Sequence, residues 1–343
     1  MPGFPEEPSH DGVLIIAEAG VNHNGSLKIA KELINVASDA GADVVKFQTF
    51  DSHEITTEWS PKAKYQKRSE GEGTSQLQML QALQLSHRDF ASLAEHCNSK
   101  NIEFLSTAFD IHNMDFLITL GLKRLKIPSG ELTNLELLQH AASKGLSLIL
   151  STGMADMEEV KIAISALVAT GMPTERLTIL HCTSAYPAPI RDINLQAMVS
   201  IAREFPVTVG YSDHTLGTEI SVAAVALGAR VIEKHFTLGR EMRGPDHAAS
   251  LEPEELQTLV AQIRSVEIAL GDGVKRCMPS ELDVRTVARR SLVAAHSIEK
   301  GEMFTREMLV SKRPGSGISP MELQSLIGSV AKRDYAQDEM IEL

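Results

Sequence analysis

The chain has 343 residues, 43% of them hydrophobic and 23% charged, with a formal net charge of −12. That is enough for a barrel-sized core of roughly 250 residues plus a small appendage. An acidic surface argues against nucleic acid or an anionic membrane as the main partner, but a few lysines gathered in a cleft still leave room for an anionic substrate.

The first dozen residues, MPGFPEEPSHDG, are acidic and proline-rich, and lack the basic start of a signal peptide. They read as a loose arm over 1–12. From residue 13 to 271, short β-branched runs alternate with helical patterns. Strands are expected at 13–19, 43–49, 103–107, 124–127, 147–151, 178–183, 207–211 and 230–236. Between them apolar residues recur at three- and four-residue spacing, as over 27–40, 157–169 and 254–270. Eight strands each followed by a helix predict a closed parallel (β/α)8 barrel. An open doubly wound sheet is the alternative, weakened because no GxGxxG follows the first strand.

Two stretches break the rhythm. Residues 50–86 form a long polar segment containing TEWSPKAKYQKRSEGEG, placed after a strand where barrel enzymes put chemistry. Its run KAKYQKR reads as a solvated loop face. Residues 272–287 read as a charged linker, and 288–343 as a small separate domain with short strands, the turn KRPGSGIS and one helix near 320–327. The three cysteines, Cys97, Cys182 and Cys277, form neither a disulfide framework nor a zinc motif. With no apolar run long enough to span a bilayer, the expected setting is cytoplasmic.

The strongest signal is where polar residues fall. Strands of a parallel barrel are mostly apolar, so charges at their C-terminal ends require a reason. Here the ends read IIAEAGVNHNG, VVKFQTF, STAFD, KIPSGE, STGM, HCTSAYP, GYSDHTLG and IEKHFTL. Alternation along a strand puts Lys46 with Gln48, and Glu233 with His235. His214 and His235 end consecutive strands and are candidate ligands for one divalent ion, with Glu233, Asp213 and Asp246 orienting them or holding metal-bound water. Simple strand-end hydrogen bonding is the other reading. Lys46 and Lys126, with Ser129, Ser151 and Ser184 at similar height, suit a phosphate or carboxylate. Glu18 is either a general base that anchors an attacking water or a salt-bridge partner of Lys46. His23 and His181 lie near strand ends without an assigned role.

These motifs, with AKYQ after the second strand and GPDHAASLEP after the eighth, closely resemble the bacterial sialic acid synthases. The tail RRSLVAAHSIEKGEMFTREMLVSKRPGSGISP resembles their C-terminal antifreeze-like domain. The likeness runs in order from about residue 13 to 340. It implies a phosphoenolpyruvate-dependent transferase that condenses this donor with an N-acetylated hexose and uses Mn²⁺ or Mg²⁺. It implies His214 and His235 as metal ligands and Glu18 as the catalytic carboxylate. It implies Lys46, Lys126, Ser129, Ser151, Ser184 and Tyr186 as phosphoenolpyruvate-binding, with Ser184 standing where the family commonly has asparagine. Gln48, Tyr65, Thr107, Glu131 and Asp246 match sugar-proximal positions. Arg313 matches an arginine that reaches the sugar from the other subunit of a domain-swapped homodimer. Ala108 stands where the family commonly has proline. The main expectation is N-acetylmannosamine as acceptor, giving N-acetylneuraminate. The alternative is 2,4-diacetamido-2,4,6-trideoxymannose, giving N,N'-diacetyllegionaminic acid, and a pseudaminic acid synthase is a third member of the set. Outside the family stand a pyruvate aldolase with Lys126 as a Schiff-base lysine and a non-catalytic carbohydrate-binding protein.

Overall fold

The computed structural model describes residues 12–63, 65–67 and 73–342. The expected arm, apart from Gly12, lies outside them. The chain divides into two compact units, Met1–Gly271 and Asp272–Leu343.

In the first unit eight parallel strands close into a barrel in sequence order: β1 Leu14–Gly20, β2 Val44–Thr49, β3 Glu103–Ala108, β4 Arg124–Ile127, β5 Ser147–Ser151, β6 Leu177–Cys182, β7 Thr208–Asp213 and β8 Val231–His235. The expected bounds hold to within two residues. The largest shift is at β7, which continues through Asp213.

Strand alternation sorts the side chains. Leu14, Ile16, Val44, Leu105, Ile149, Leu180 and Val231 fill the lower lumen as one apolar cluster. Their sequence neighbours Ile15, Ala17, Val45 and Ile232 face outward into the larger core shared with the helices. Two residues further along each strand, the lumen positions become Glu18, Lys46, Thr107, Ser151 and Glu233, all buried. The apolar floor therefore places every polar group at the C-terminal end. Gly210 is required on that wall, because a Cβ there would lie 2.4 Å from the Val231 carbonyl oxygen.

The outer helices follow the sequence pattern. Helix Leu27–Asp39 buries Ala30, Leu33, Ile34 and Ala37, and the Ser26 side chain accepts from Ile29 N–H at its start. Helix Met157–Ala169 opens with a reciprocal Asp156–Glu159 capping box. The segment after β2 carries helices Ser52–Ile55 and Gln76–Leu83, whose Met79 and Leu83 pack with Val21 and Phe50. Lys62 departs from the solvated face expected for its run. It is buried, and its Nζ donates to Thr74 Oγ1 at 3.0 Å. Lys64 and Arg68 of that run lie outside the described residues.

The second unit pairs β9 Ser291–Ala294 with β10 Leu309–Lys312 antiparallel, over a core that includes Leu292, Ile298, Phe304, Leu326, Tyr335 and Ile341. The stretch read as a linker contains the helix Leu282–Ala288, and the helix expected near 320–327 is a 3-10 turn Pro320–Glu322 followed by Leu323–Leu326.

Candidate active site

The barrel mouth is built around two lysines that share carboxylates. Lys46 Nζ lies 2.8 Å from Glu18 Oε2 and 3.5 Å from Glu233 Oε2, and donates to Thr107 Oγ1 at 2.9 Å. Lys126 Nζ lies 3.3 Å from Glu233 Oε1, which also accepts from Ser212 Oγ at 3.0 Å. Gln48 Nε2 donates to Glu18 Oε1 at 3.1 Å. The Glu18–Lys46 pair predicted from adjacent strands is thus present, in register on β1 and β2. Beyond Glu18 the β1 ladder shifts register at Gly20, whose φ of 53° favours glycine and where a Cβ would stand 3.2 Å from both Gln48 Nε2 and Glu18 Oε1.

Burial at 1% exposure raises the Glu18 carboxyl to about 7, against the pull of Lys46. Burial would raise Glu233 too, but Lys126 and Lys46 together hold it down to about 2. Burial would lower Lys46, yet the charges of Glu18 and Glu233 carry it above its ordinary value. Lys126 has less carboxylate around it, and burial wins, lowering it. Two carboxyls on one cation cluster are thus driven apart, one fixed as an anion and the other poised near neutrality, which is the pattern that separates acid–base roles.

His214 and His235 approach with ring centroids 5.3 Å apart. His214 Nδ1–H donates to the Thr183 carbonyl at 2.8 Å, which leaves Nε2 as the nitrogen that can give its lone pair to a cation once it has lost its proton. His235 Nδ1 is buried without a hydrogen-bond partner among the described residues. Burial, then the neighbouring His214 and Lys46, push His235 well below its ordinary value and keep it neutral. Burial would lower His214 as well, but the facing Cys182 and the Thr183 carbonyl carry it up to about 9, so a cation arriving there must displace a proton. Neighbouring imidazoles, one with its tautomer fixed and one with an unsatisfied ring nitrogen, fit a divalent ion. Among the described residues no set of three His, Cys, Asp or Glu side chains gathers as a metal cage.

Tyr186 lies over His214 at 4.2 Å and edge-on to His235 at 5.7 Å, and Tyr65 from the long segment lies 4.9 Å from Tyr186. Asp246 is buried beside this group; burial raises it to about 6 despite the charge of His214. Its loop is tied back to the β1 loop, since Ser250 Oγ donates to the Asp246 carbonyl at 2.7 Å and accepts from Asn22 Nδ2 at 2.9 Å.

A third group of donors collects where β4, β5 and β6 end. Gly153 N–H donates to Ser129 Oγ at 2.9 Å, and the buried Ser151 hydroxyl has no partner among the described residues. A Cβ on Gly153 would stand 2.1 Å from Ser184 Oγ and 2.8 Å from Ser129 Oγ, so the three strand ends meet only because that residue is glycine. Gly153→Ala is therefore expected to displace the small hydroxyls rather than the backbone. The Michaelis constant for an anionic substrate should rise about tenfold or more, with the melting temperature little changed; kinetics and thermal melts check both.

Several expectations need correction or a limit. Asp213 bonds neither imidazole directly among the described residues. β7 continues through it, alternation turns it to the outer face, and it pairs with Lys234 at 2.8 Å. Glu233 does face the lumen, but Lys46, Lys126 and Ser212 surround its oxygens. His23 and His181 serve their own loops, Nδ1 of His23 accepting from Gly25 N–H at 3.1 Å and Nε2 of His181 lying 2.7 Å from the Ile193 carbonyl. Glu131 closes a 3-10 turn and accepts from Asn134 Nδ2 at 2.7 Å. Arg313 is exposed in the second unit. Cys182, 3.7 Å from His214 Nδ1, was given no part in the site by the sequence reading. A cavity of about 940 Å³ opens at the opposite, N-terminal end of the barrel, lined by Leu14, Glu103, Arg124 and Arg230 among others. The polar strand ends do not line it, so its size does not mark the chemistry.

Barrel and mouth together define an enzyme site for small anionic and polar substrates. The profile of the NeuB family matches residues 33–275, and that of the SAF domain matches 289–342. The chain is 50% identical over 328 residues to N,N'-diacetyllegionaminic acid synthase of Campylobacter jejuni, covering 96% of this chain and 98% of that one. It is 50% identical over 317 residues to the enzyme of the same name from Legionella pneumophila, covering 92% and 89%. Among solved structures, the N-acetylneuraminic acid (sialic acid) synthetase of Leptospira borgpetersenii, in complex with citrate, superposes with a TM-score of 0.70 at 36% identity, over 80% of this chain and 90% of that one. The chain belongs to the NeuB family, and is with it a phosphoenolpyruvate-dependent transferase that forms a carbon–carbon bond in nonulosonate synthesis. That membership sets aside the pyruvate aldolase and the non-catalytic readings.

Proposed function

We propose that this enzyme condenses phosphoenolpyruvate with 2,4-diacetamido-2,4,6-trideoxymannose to give N,N'-diacetyllegionaminic acid. The observation that carries the choice is the 50% identity, over nearly the full length of both chains, to two synthases of that product. The sialic acid synthetase stands at 36%. The main expectation from sequence, N-acetylmannosamine, thereby gives way to its alternative.

Ser129, Ser151, Ser184 and the Gly153 loop, with Lys126 and Lys46, grip the phosphate and carboxylate of the donor. Tyr186 closes that pocket with a phenol that burial keeps protonated. Gln48, Tyr65, Thr107, Glu131 and Asp246 line the acceptor side. His214 and His235 would hold a divalent cation, Mn²⁺ or Mg²⁺, which would supply Lewis-acid polarisation of the acceptor aldehyde when bound. The donor's methylene carbon bonds to the aldehyde carbon, the carbonyl pair passes to the aldehyde oxygen, which takes a proton from solvent to become a hydroxyl, and positive charge develops at the donor's C2. Glu18 stabilises that charge and takes a proton from the water that attacks C2. The tetrahedral centre then loses inorganic phosphate by C–O cleavage. The barrel's main contribution is to hold two small polar molecules in line. The charged donor and the free thiols of Cys97, Cys182 and Cys277 suit a cytoplasmic setting.

The test is phosphate release from phosphoenolpyruvate and Mn²⁺ with each candidate sugar. The diacetamido-trideoxy sugar is expected to exceed N-acetylmannosamine in kcat/KM by about a hundredfold or more, as a pocket matched to an extra polar group discriminates. Equal or better use of N-acetylmannosamine overturns the choice of sugar.

We further read the working unit as a homodimer in which the second unit of one copy serves the barrel of the other, with Arg313 reaching the acceptor's N-acetyl group. Its exposure and the KRPGSG motif support this. Glu18→Gln and Arg313→Ala chains, each inactive alone, are then expected to recover turnover when unfolded and refolded together. No recovery in verified mixed dimers counts against it.

A further inference from the structure

We infer that the buried Asp213–Lys234 pair is a positioning device that holds His214 and His235 at the separation their cation requires. The inference rests on the metal reading above and adds residues that touch neither substrate nor ion.

The two residues immediately precede the two histidines. They are register partners on β7 and β8, and theirs is the last rung of that ladder. Past it, no strand pairing sets His214 against His235. The side chains take over there. Lys234 Nζ lies 2.8 Å from Asp213 Oδ2 and donates to the Thr215 carbonyl at 2.6 Å. Asp213 Oδ1 accepts from Thr215 N–H at 2.8 Å and from Thr215 Oγ1 at 2.7 Å, and Oδ2 accepts from Ser221 Oγ at 2.6 Å. His214 is therefore bracketed, since the residues on both sides of it are fixed to one ammonium on the neighbouring strand. His235 follows that ammonium directly, and its own carbonyl accepts from Leu251 N–H at 2.9 Å.

Stability alone explains the pair poorly. Its side chains are 0% and 1% exposed, on an outer face whose strand neighbours Tyr211, Ile232 and Phe236 belong to the apolar core. Two apolar residues of similar volume would pack there, and such replacements of buried ion pairs are often neutral or stabilising. What an apolar pair lacks is direction: it fixes no distance between two backbones. Outer groups that orient metal ligands act in this way, and their loss costs tenfold to a hundredfold in affinity.

The test is Mn²⁺ binding to the metal-free full-length protein without substrates, followed by the electron paramagnetic resonance of the free ion. His214→Ala and His235→Ala define the signal of a lost site. Asp213→Asn and Lys234→Met are expected to raise the Mn²⁺ dissociation constant about ten- to a hundredfold. Leu138→Ala, on the remote helix Leu135–Ser143, is expected to lower the melting temperature and leave the constant unchanged. Asp213→Asn keeps the side-chain volume and serves if Lys234→Met does not fold. If the folded pair variants bind Mn²⁺ within about twofold of wild type, as Leu138→Ala does, the inference falls and the metal reading stands. If wild type binds no better than the histidine variants, the metal reading falls and takes the inference with it.

Discussion

Glu18→Gln is expected to lose about a thousandfold or more in turnover while binding its cation and phosphoenolpyruvate nearly as well as wild type. Glutamine fills the same space between Lys46 and Gln48, and the amide of Gln48 can turn to meet it, so the packing survives. On the mechanism proposed above, what is lost is a carboxylate beside the donor's C2. Steady-state kinetics with a Mn²⁺ titration separates the two, and near-normal turnover in the variant would end the role given to Glu18. The raised carboxyl, about 7 against an ordinary 4.5, has a second consequence in the metal-free protein. Between those values the folded state keeps a proton that the unfolded chain releases, so this group's contribution to stability falls as pH rises through the window, by about 3 kcal/mol in all. Glutamine has no such term. Denaturant unfolding at pH 4.5 and pH 8 is expected to show the variant gaining on wild type at the higher pH. Parallel curves would mean that Glu18 does not titrate there. In the loaded enzyme the same group is expected to give kcat an acid limb, with activity falling as the carboxylate takes up its proton.

The residues that converge at the mouth were legible because alternation along a strand has a period of two. Lys46 and Gln48, or Glu233 and His235, had to share a face wherever the barrel closed. The period does not say what lies opposite. Glu233 was grouped with the imidazoles because it is near them in sequence, whereas β2 and β4 deliver two ammonium groups to it. Asp213 was expected to meet the imidazoles with its own oxygens, and does not, for a local reason. It was taken to lie past the strand's end, where the face is free, but β7 continues through it and turns it outward. The Asn22–Ser250 link and the burial of Lys62 depend on loops that meet only after the barrel closes, and no spacing in the sequence encodes them; the approach of Cys182 to His214 depends on the register of β6 against β7, which the sequence does not show either. The likeness of motifs supplied roles for Tyr65 and Arg313 that periodicity could not reach.

Lys126→Met is expected to raise the Michaelis constant for phosphoenolpyruvate about a hundredfold, with a modest loss of stability. The choice of lysine matters. Lys46 faces both Glu18 at 2.8 Å and Glu233 at 3.5 Å, so removing it strands two buried carboxyls and is expected to lower the melting temperature sharply. Among the described residues Lys126 has Glu233 as its one carboxylate within 4 Å, and after its loss Glu233 keeps Lys46 and the Ser212 hydroxyl. The fold is therefore expected to tolerate the change, while the proposed donor pocket loses a cation. Lys126 is also the ammonium that burial leaves the less stable of the two, so an arriving phosphate dianion strengthens its hold on the proton, and binding and charge reinforce each other. Isothermal titration with phosphoenolpyruvate and Mn²⁺, beside thermal melts of both lysine variants, reads the two effects apart. A Lys126→Met enzyme with wild-type affinity for phosphoenolpyruvate would place the phosphate elsewhere in the mouth and leave Lys126 only its structural task of balancing Glu233.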